Sequence, residues 1–406
     1  MKRYLDHPII STKTSSYLTF LIVIAPLLNF LSGINIDLYA PSMPSITHYF
    51  STTVAATKNT ITMAVFGMTI GCLVFGSIID SIGRKRTLVF GIFLYVIASF
   101  LAPLSHTIFE LMIFRFIQGA MVSSISVGCR ALIIDNFSGK QYAIAILYTA
   151  ITYGLGPIIG PFIGGLVQHN FGWKANFVLL GIVAGVLLLL LLLFIKESLI
   201  ERQSFAMRDV FKQYLKVLQH KQFIAGVVVG GFLNVFILIY PVIAPFVVEN
   251  VLHYSVLVYG NTALLAGASY LSGALINRFL LHFMMPRKVC DIGYVVLVIG
   301  MLSAYVFAFW WHLNLASLMI PIIFLGVGCG LVYPNVLAAN LRQFPKNVGV
   351  AMAIQVSLIT LITSLSIFLI SHVTVKGLLS LAVIYTILVV LVVVIYVGRY
   401  QKLLDS

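Results

Sequence analysis

Acidic residues are scarce in this chain. Its 406 residues include eleven Asp and Glu, and only 9% of the sequence is charged. Soluble domains carry about 25% charged residues, so water is not the main solvent of this one. The shortage makes any carboxylate inside an apolar run conspicuous, because an ionisable group there is expensive and calls for a partner or a task. Cysteine is limited to Cys72, Cys129, Cys290 and Cys329, which lie within or beside apolar runs without metal-ligand spacing. They read as small packing residues, and neither a metal nor a cofactor is expected. The chain also lacks a nucleophile set beside a base and a phosphate-cradling glycine loop, so enzyme chemistry is not expected. Residues 1–16 are polar and the run after them is too long for a signal core, which argues against a cleavable leader.

In place of charge there is hydrophobicity, 61% of the sequence. Runs such as Tyr17 to Asn35, Val89 to Ser105, Val178 to Ile195 and Leu378 to Val397 approach or exceed the roughly 18 residues that cross a bilayer core. Twelve spans follow, near 18–40, 57–79, 86–104, 108–131, 143–167, 175–195, 223–248, 257–281, 289–309, 314–338, 346–371 and 377–398. Helices are the expectation, since a backbone in lipid must satisfy its own hydrogen bonds and barrel strands are half this length. The net charge of +14 does not point to nucleic acid, because the basic residues sit in short loops rather than on one surface. Of 25 Lys and Arg, 21 fall at the termini or after even-numbered spans. Lys58, Lys174 and Lys376 fall on the other side and Arg115 inside a span. The positive-inside rule then places both termini in the cytoplasm.

The longest connection divides the chain into a six-helix bundle over 1–195, a linker over 196–222 and a second bundle over 223–406. In the linker Met207, Val210, Phe211, Tyr214, Leu215 and Leu218 recur at helical spacing, with Arg208, Lys212 and Lys216 on other faces. That pattern fits a helix lying on the membrane surface; a calmodulin target shares it. The halves echo each other. Gly76 and Asp80 precede Arg84, Lys85 and Arg86 after span 2, while Gly273, Asn277 and Arg278 precede Arg287 and Lys288 after span 8. Transporters built from repeats bind substrate between their halves.

Two ionisable residues lie inside spans near the end away from the basic loops. Asp37 closes span 1, and Arg115 lies about two turns into span 4 with Gln118 and Gly119 on its face. Their similar depth makes pairing possible. Arg115 would lower the proton affinity of Asp37 while desolvation raises it, so Asp37 is the expected proton carrier and Arg115 its tuner. Asp37 as a solvated cap and Arg115 as a snorkelling side chain are the plainer readings. Asn234, Tyr240, Asn335 and Gln355 are polar residues inside spans that could line a cavity, although interhelical hydrogen bonding explains them nearly as well. Trp173, Trp310 and Trp311 fit an aromatic belt.

Several segments carry a resemblance. GSIIDSIGRKR, from Gly76 to Arg86, resembles the loop signature G-x-x-x-D-R-x-G-R-R of the major facilitator superfamily, with Ser81 in place of the first Arg. Arg115, Gln118 and Gly119 look like its R-x-x-Q-G signature. In YGLGPIIGPFIGG, Gly156, Pro157, Gly160, Pro161, Gly164 and Gly165 are similar to its antiporter signature, found chiefly in exporters. IDLYAPSMP, with Asp37 and Tyr39, resembles the opening of Bcr/CflA-type drug-resistance transporters, and GLVYPNVLAANL in span 10 is similar to another segment of that group.

The resemblance implies an all-α membrane protein with twelve helices in two halves, acting as a monomer in a bacterial inner membrane. It implies proton-coupled efflux of a small, drug-like molecule by alternating access, with substrate, protons and membrane lipid as partners. Gly76, Asp80, Gly83, Arg84, Arg86 and Asp135 would form a gate latching the halves on the cytoplasmic side, with Asp80 against the N-terminus of span 11. Asn29 stands where some multidrug relatives carry a second acid, which argues against dicationic substrates. Asn29, Tyr39 and Gln118 join the four polar residues above as cavity candidates. A dedicated exporter of a metabolite or siderophore would use the same machinery, and a non-transporting sensor is a third reading.

Overall fold

Lipid offers the backbone no hydrogen-bond partner, so each long apolar run closes its own i to i−4 ladder. The computed structural model describes residues 15–199, 214–344, 348–373, 375 and 377–400. Its elements are α1 (Ser15–Asp37), a 3-10 turn (Ala40–Ser42), α2 (Met43–Tyr49), α3 (Val54–Ile82), α4 (Arg84–Leu101), α5 (Ile108–Asn136), α6 (Gly139–Phe171) and α7 (Trp173–Phe194). After the linker come α8 (Lys221–Phe246), α9 (Val256–Leu280), α10 (Pro286–Trp310), α11 (Leu315–Arg342), α12 (Val348–Ser371) and α13 (Leu378–Ile395). Among the described residues twelve helical stretches are long and apolar enough to span a membrane, with α1, the turn and α2 forming the first.

Helix ends follow local chemistry. Thr53 and Thr107 accept from the backbone of Ala56 and Glu110 at the starts of α3 and α5, and Asn314 with Ser317 forms a capping box on α11. The first span runs to Tyr49 rather than to about residue 40. Pro41 and Pro44 fall in the first turns of the 3-10 segment and α2, where a missing N–H costs nothing, so the chain re-enters a helix instead of leaving the membrane. Likewise α5 continues past the expected 131 to Asn136. Residues Met207, Arg208, Val210, Phe211 and Lys212 of the expected surface helix, and Lys376, lie outside the described residues. Its remainder forms a short helix over 214–218, in which Val217 packs on Phe223 and Ile354 while Leu215 and Leu218 stay exposed.

The two halves repeat one packing plan. Within the first, α3 packs on α5, α1 on α6, α4 on α5 and α7, and α1 on α5. The second makes the corresponding set: α9 on α11, α8 on α12, α10 on α11 and α13, and α8 on α11. The sequence echo falls on equivalent places. Asp80 is tied through Arg84 to Asp135 of α5, and Asn277 is bonded by Asn335 of α11 at 2.8 Å. Two seams join the halves, α3 with α12 and α6 with α9. Exchanging the halves converts one seam into the other.

The α3–α12 seam is stitched along its length. Ser371 Oγ donates to Asn59 Oδ1 (2.8 Å), Ser364 Oγ to the Thr62 carbonyl (3.1 Å), and Thr69 Oγ1 to Thr360 Oγ1 (2.9 Å). The α6–α9 seam is closed from its Trp173 end to mid-helix, where a side chain on Gly267 would lie 2.8 Å from the Ile158 Cα. The Trp173 end is tight as well. There a side chain on Gly165 would meet the Val256 carbonyl at 3.2 Å, and one on Gly260 the Phe162 Cα at 3.3 Å. Toward the Arg84 end Tyr153 is 42% exposed, and a side chain on Gly154 would touch nothing. At the closed end one buried cluster crosses between the halves, with Ile36, Tyr39, Met43 and Ile61 against Phe236, Ile243, Phe246 and Tyr259.

Candidate functional site

Asp37 and Arg115 both lie at the closed end, and both are buried. Arg115 is fully enclosed, which excludes snorkelling. Its Nη1 donates to the Asn35 carbonyl (3.1 Å) and to Gln118 Oε1 (2.9 Å). The guanidinium carbon lies 4.6 Å from the Tyr39 ring centre and 6.0 Å from that of Phe177. Gln118 Nε2 donates to Ser99 Oγ (2.8 Å), Ser99 Oγ to the Tyr95 carbonyl (2.8 Å), and Tyr95 Oη to Asn35 Oδ1 (2.9 Å). This closes a polar ring over α1, α4 and α5. Arg115 Nε and Nη2 have no hydrogen-bond partner.

No ion pair joins Asp37 to Arg115, although each lies within electrostatic reach of the other. Helix geometry is the reason. Positions 35 and 37 differ by about 200° around α1, so Asn35 faces the arginine while Asp37 faces α6. A side chain on Gly160 would lie 3.1 Å from Asp37 Cβ and 3.3 Å from the Leu38 nitrogen. Gly156 backs onto Gly33, and Gly164 onto the Leu38 carbonyl. The four-residue glycine period of α6 is therefore the face that receives the end of α1, and Gly165, one position on, turns to α9. Pro157 and Pro161 lie within an unbroken helix. Tyr153 and Tyr259, one from each half, stand within electrostatic reach of Asp37.

The basic turn forms a second centre. Gly83 links α3 to α4 at φ +116°, a conformation that other residues rarely adopt. The turn aims Arg84 inward, where it pairs with Asp80 and, through Nε at 3.1 Å, with Asp135. Glu197, just beyond α7, accepts from the Arg84 backbone N–H at 2.8 Å, and Ser198 Oγ donates to Asp135 at 2.7 Å. These contacts of Arg84 lie in the first half and at the start of the linker, and none reaches the second half. Arg86 is exposed. Across the seam at this level, a side chain on Gly76 would lie 3.0 Å from the Ala353 methyl.

Most of the other polar candidates bridge helices. Asn29 Nδ2 donates to the Thr149 carbonyl (2.8 Å), Asn234 Nδ2 to Thr363 Oγ1 (3.0 Å), and Tyr240 Oη to Thr262 Oγ1 (2.6 Å). Asn335 is tied to Asn277, and Tyr39 Oη lies 2.6 Å from Thr60 Oγ1. Gln355 is buried with Oε1 unpartnered. Tyr240 also lines a narrow cleft with Ile243, Leu318, Ile322, Leu381 and Tyr385, inside the second half. Sequence reasoning missed Asn35, Tyr95 and Ser99, whose roles depend on contacts between helices, and Glu197. The scarcity of acids was the one available signal for Glu197.

Two six-helix halves that repeat one plan and meet along two seams, one of them open at one end, define a multi-pass membrane transporter. Residues 27–366 match the model of the Major Facilitator Superfamily, and the chain belongs to that family. It is 27% identical over 335 residues to the uncharacterized MFS-type transporter YdgK of Bacillus subtilis strain 168, covering 81% of this chain and 82% of that one. It is 26% identical over 249 residues to the multidrug resistance protein MdtL of Shewanella sp. strain ANA-3, covering 60% and 63%. The crystal structure of a D-xylose-proton symporter superposes with a TM-score of 0.74 at 17% identity, covering 94% of this chain and 97% of that one.

Proposed function

We propose that this transporter is a proton-coupled exporter of a small, drug-like molecule, close to the Bcr/CflA-type drug exporters. The observation that carries the reading is the contact between Gly160 and Asp37. The only acid in α1 sits against the glycine face of α6, and the same helix forms the α6–α9 seam. A change of that seam therefore bears directly on the carboxylate. The MdtL relative supports a drug-like substrate.

In this cycle Asp37 takes a proton when the end near Trp173 opens, and substrate leaves. Closing that end buries Asp37 again and opens the Arg84 end, where substrate enters and the proton departs. The Arg84 end is cytoplasmic and the membrane is the bacterial inner membrane, in keeping with the basic loops. The functional unit is a monomer of two bundles, 1–195 and 223–406, joined by 196–222. The Arg84 cluster braces the first half beside the gate, and Asn29, Gln118, Asn234 and Gln355 lie on the helices that enclose the substrate path.

The test is substrate-dependent collapse of a pH gradient in proteoliposomes, screened with chloramphenicol-like compounds, siderophores and amino-acid metabolites. Asp37→Asn should abolish the response while insertion and thermal stability persist, and Lys376→Ala should leave it unchanged. Full pH-dependent activity in Asp37→Asn would remove Asp37 as the carrier.

A further inference from the structure

Symmetric rocking of two halves parts both seams alike at the end that opens. Here only one has parted. Positions 371, 364, 360 and 353 share a face of α12, and each meets α3: Ser371 at Asn59, Ser364 at Thr62, Thr360 at Thr69 and Ala353 at Gly76. From Asn59 to Gly76 these contacts run about 26 Å, and they reach to within six residues of Ile82, where α3 ends.

On α6, positions 165, 161, 158 and 154 share a face in the same way. Gly165 and Pro161 close on Val256 and Gly260, and Ile158 closes on Gly267. A side chain on Gly154, the next position, would meet nothing, and Ile151 and Leu147 further along that face are 48% and 47% exposed. The last of these contacts on α9, at Gly267, falls thirteen residues before that helix ends at Leu280.

Two features suit the α3–α12 seam to turning without parting. The first is that a hydroxyl has one proton to donate, and two hydroxyls here each have two acceptors for it. Ser371 Oγ lies 2.8 Å from Asn59 Oδ1 and 2.7 Å from its own Phe368 carbonyl. Thr69 Oγ1 lies 2.9 Å from Thr360 Oγ1 and 3.3 Å from its own Val65 carbonyl. A small roll of the helices moves each bond to the acceptor on its own helix and strands no buried hydroxyl. The second is that the linker returns to the second half at this seam. Val217 packs with Ala351 and Ile354 of α12, and Tyr214 Oη donates across to the Leu73 carbonyl of α3 at 3.4 Å.

We propose that the α3–α12 seam is the hinge line of the transporter, closed at both ends throughout the cycle, and that either end opens along α6–α9 alone. The halves then part as a wedge, widest at α6 and α9. That places the contact between Gly160 and Asp37 on the wide side. The inference rests on the alternating access proposed above, but not on the proton or on the direction of transport.

The test is alkylation by N-ethylmaleimide of single added cysteines in full-length protein reconstituted without a gradient. Each rate is divided by that of the same variant unfolded in detergent. The four native cysteines are buried, and the wild type gives their background. Gly165→Cys and Ile158→Cys report on α6–α9; Ser364→Cys and Thr69→Cys report on α3–α12. Gly165 and Ser364 lie at similar depth, six and seven residues from the ends of their helices. Ile158→Cys adds no bulk, which guards against a cysteine that forces its own seam apart. Both α6 cysteines should react at least about tenfold faster than both α3–α12 cysteines, a difference of about 1.4 kcal/mol in opening. Ser364→Cys or Thr69→Cys reacting as fast as Ile158→Cys would overturn the hinge, as would a Gly165→Cys no more reactive than Ser364→Cys. Labelling needs neither substrate nor proton carrier, so the export reading fails separately, on the proteoliposome response of Asp37→Asn.

Discussion

Gly160→Ala tests the mechanical link between α6 and the buried acid. The added methyl would lie 3.1 Å from Asp37 Cβ, 3.3 Å from the Leu38 nitrogen and 3.5 Å from the Asp37 carbonyl carbon. Ordinary contact begins near 3.4 Å, so α1 must yield by a few tenths of an ångström. Overpacking of this kind costs about 1–3 kcal/mol, and alanine returns about 1 kcal/mol of helix propensity over glycine. The net effect on folding is about 0–2 kcal/mol, small enough for the variant to insert and melt close to the wild type. Strain of 2 kcal/mol confined to one state of the cycle shifts the equilibrium between states by roughly 30-fold. The assay compares substrate-driven proton movement with substrate counterflow in the same proteoliposomes. Gly160→Ala should lose the first far more than the second. Gly185→Ala in α7, where a methyl would meet nothing within 4 Å, should leave both unchanged. Wild-type coupling in Gly160→Ala, or equal loss in Gly185→Ala, would refute the link.

Three further outcomes follow from contacts already described. Arg115→Ala opens the polar ring and strands Gln118 and the Asn35 carbonyl, at about 1–3 kcal/mol for each buried group left unsatisfied, so its melting temperature should fall and coupling should be lost. Gly83→Ala imposes φ +116° on a residue with a side chain and drives that methyl against the Glu197 carboxylate, so stability should fall by about 1–3 kcal/mol in a thermal melt. A cysteine pair at Gly165 and Gly260 sits close enough to cross-link, since a Gly165 side chain would lie 3.7 Å from Gly260 Cα and disulfides need Cβ atoms roughly 3.5–4.5 Å apart. Oxidation should stop transport and reduction restore it; uninterrupted transport in the oxidised form would show that this end need not open.

The spans were legible because a membrane forces hydrophobicity and secondary structure to agree over about twenty residues at a time. The turn at Gly83 and the glycine face of α6 were legible because each depends on a backbone that tolerates few residue types. What surrounds Arg115 was not. Residue type and depth placed Arg115 level with Asp37, but the side on which each faces is set by the rotation of α1. That rotation gives the arginine to Asn35 and the carboxylate to α6.

The two seams share an origin in shape. Because exchange of the halves maps the α3–α12 contact onto the α6–α9 contact, two copies of a six-helix unit related by a twofold axis would make both from a single self-complementary surface. Fusing such copies into one chain frees each to drift. The acid at the end of α1 and the glycine face of α6 belong to one copy alone, and α8, the counterpart of α1, carries no acid over Lys221–Phe246. A symmetric ancestor would have had two equivalent proton carriers or none, so the single carrier proposed here is a property that only the fused chain could acquire.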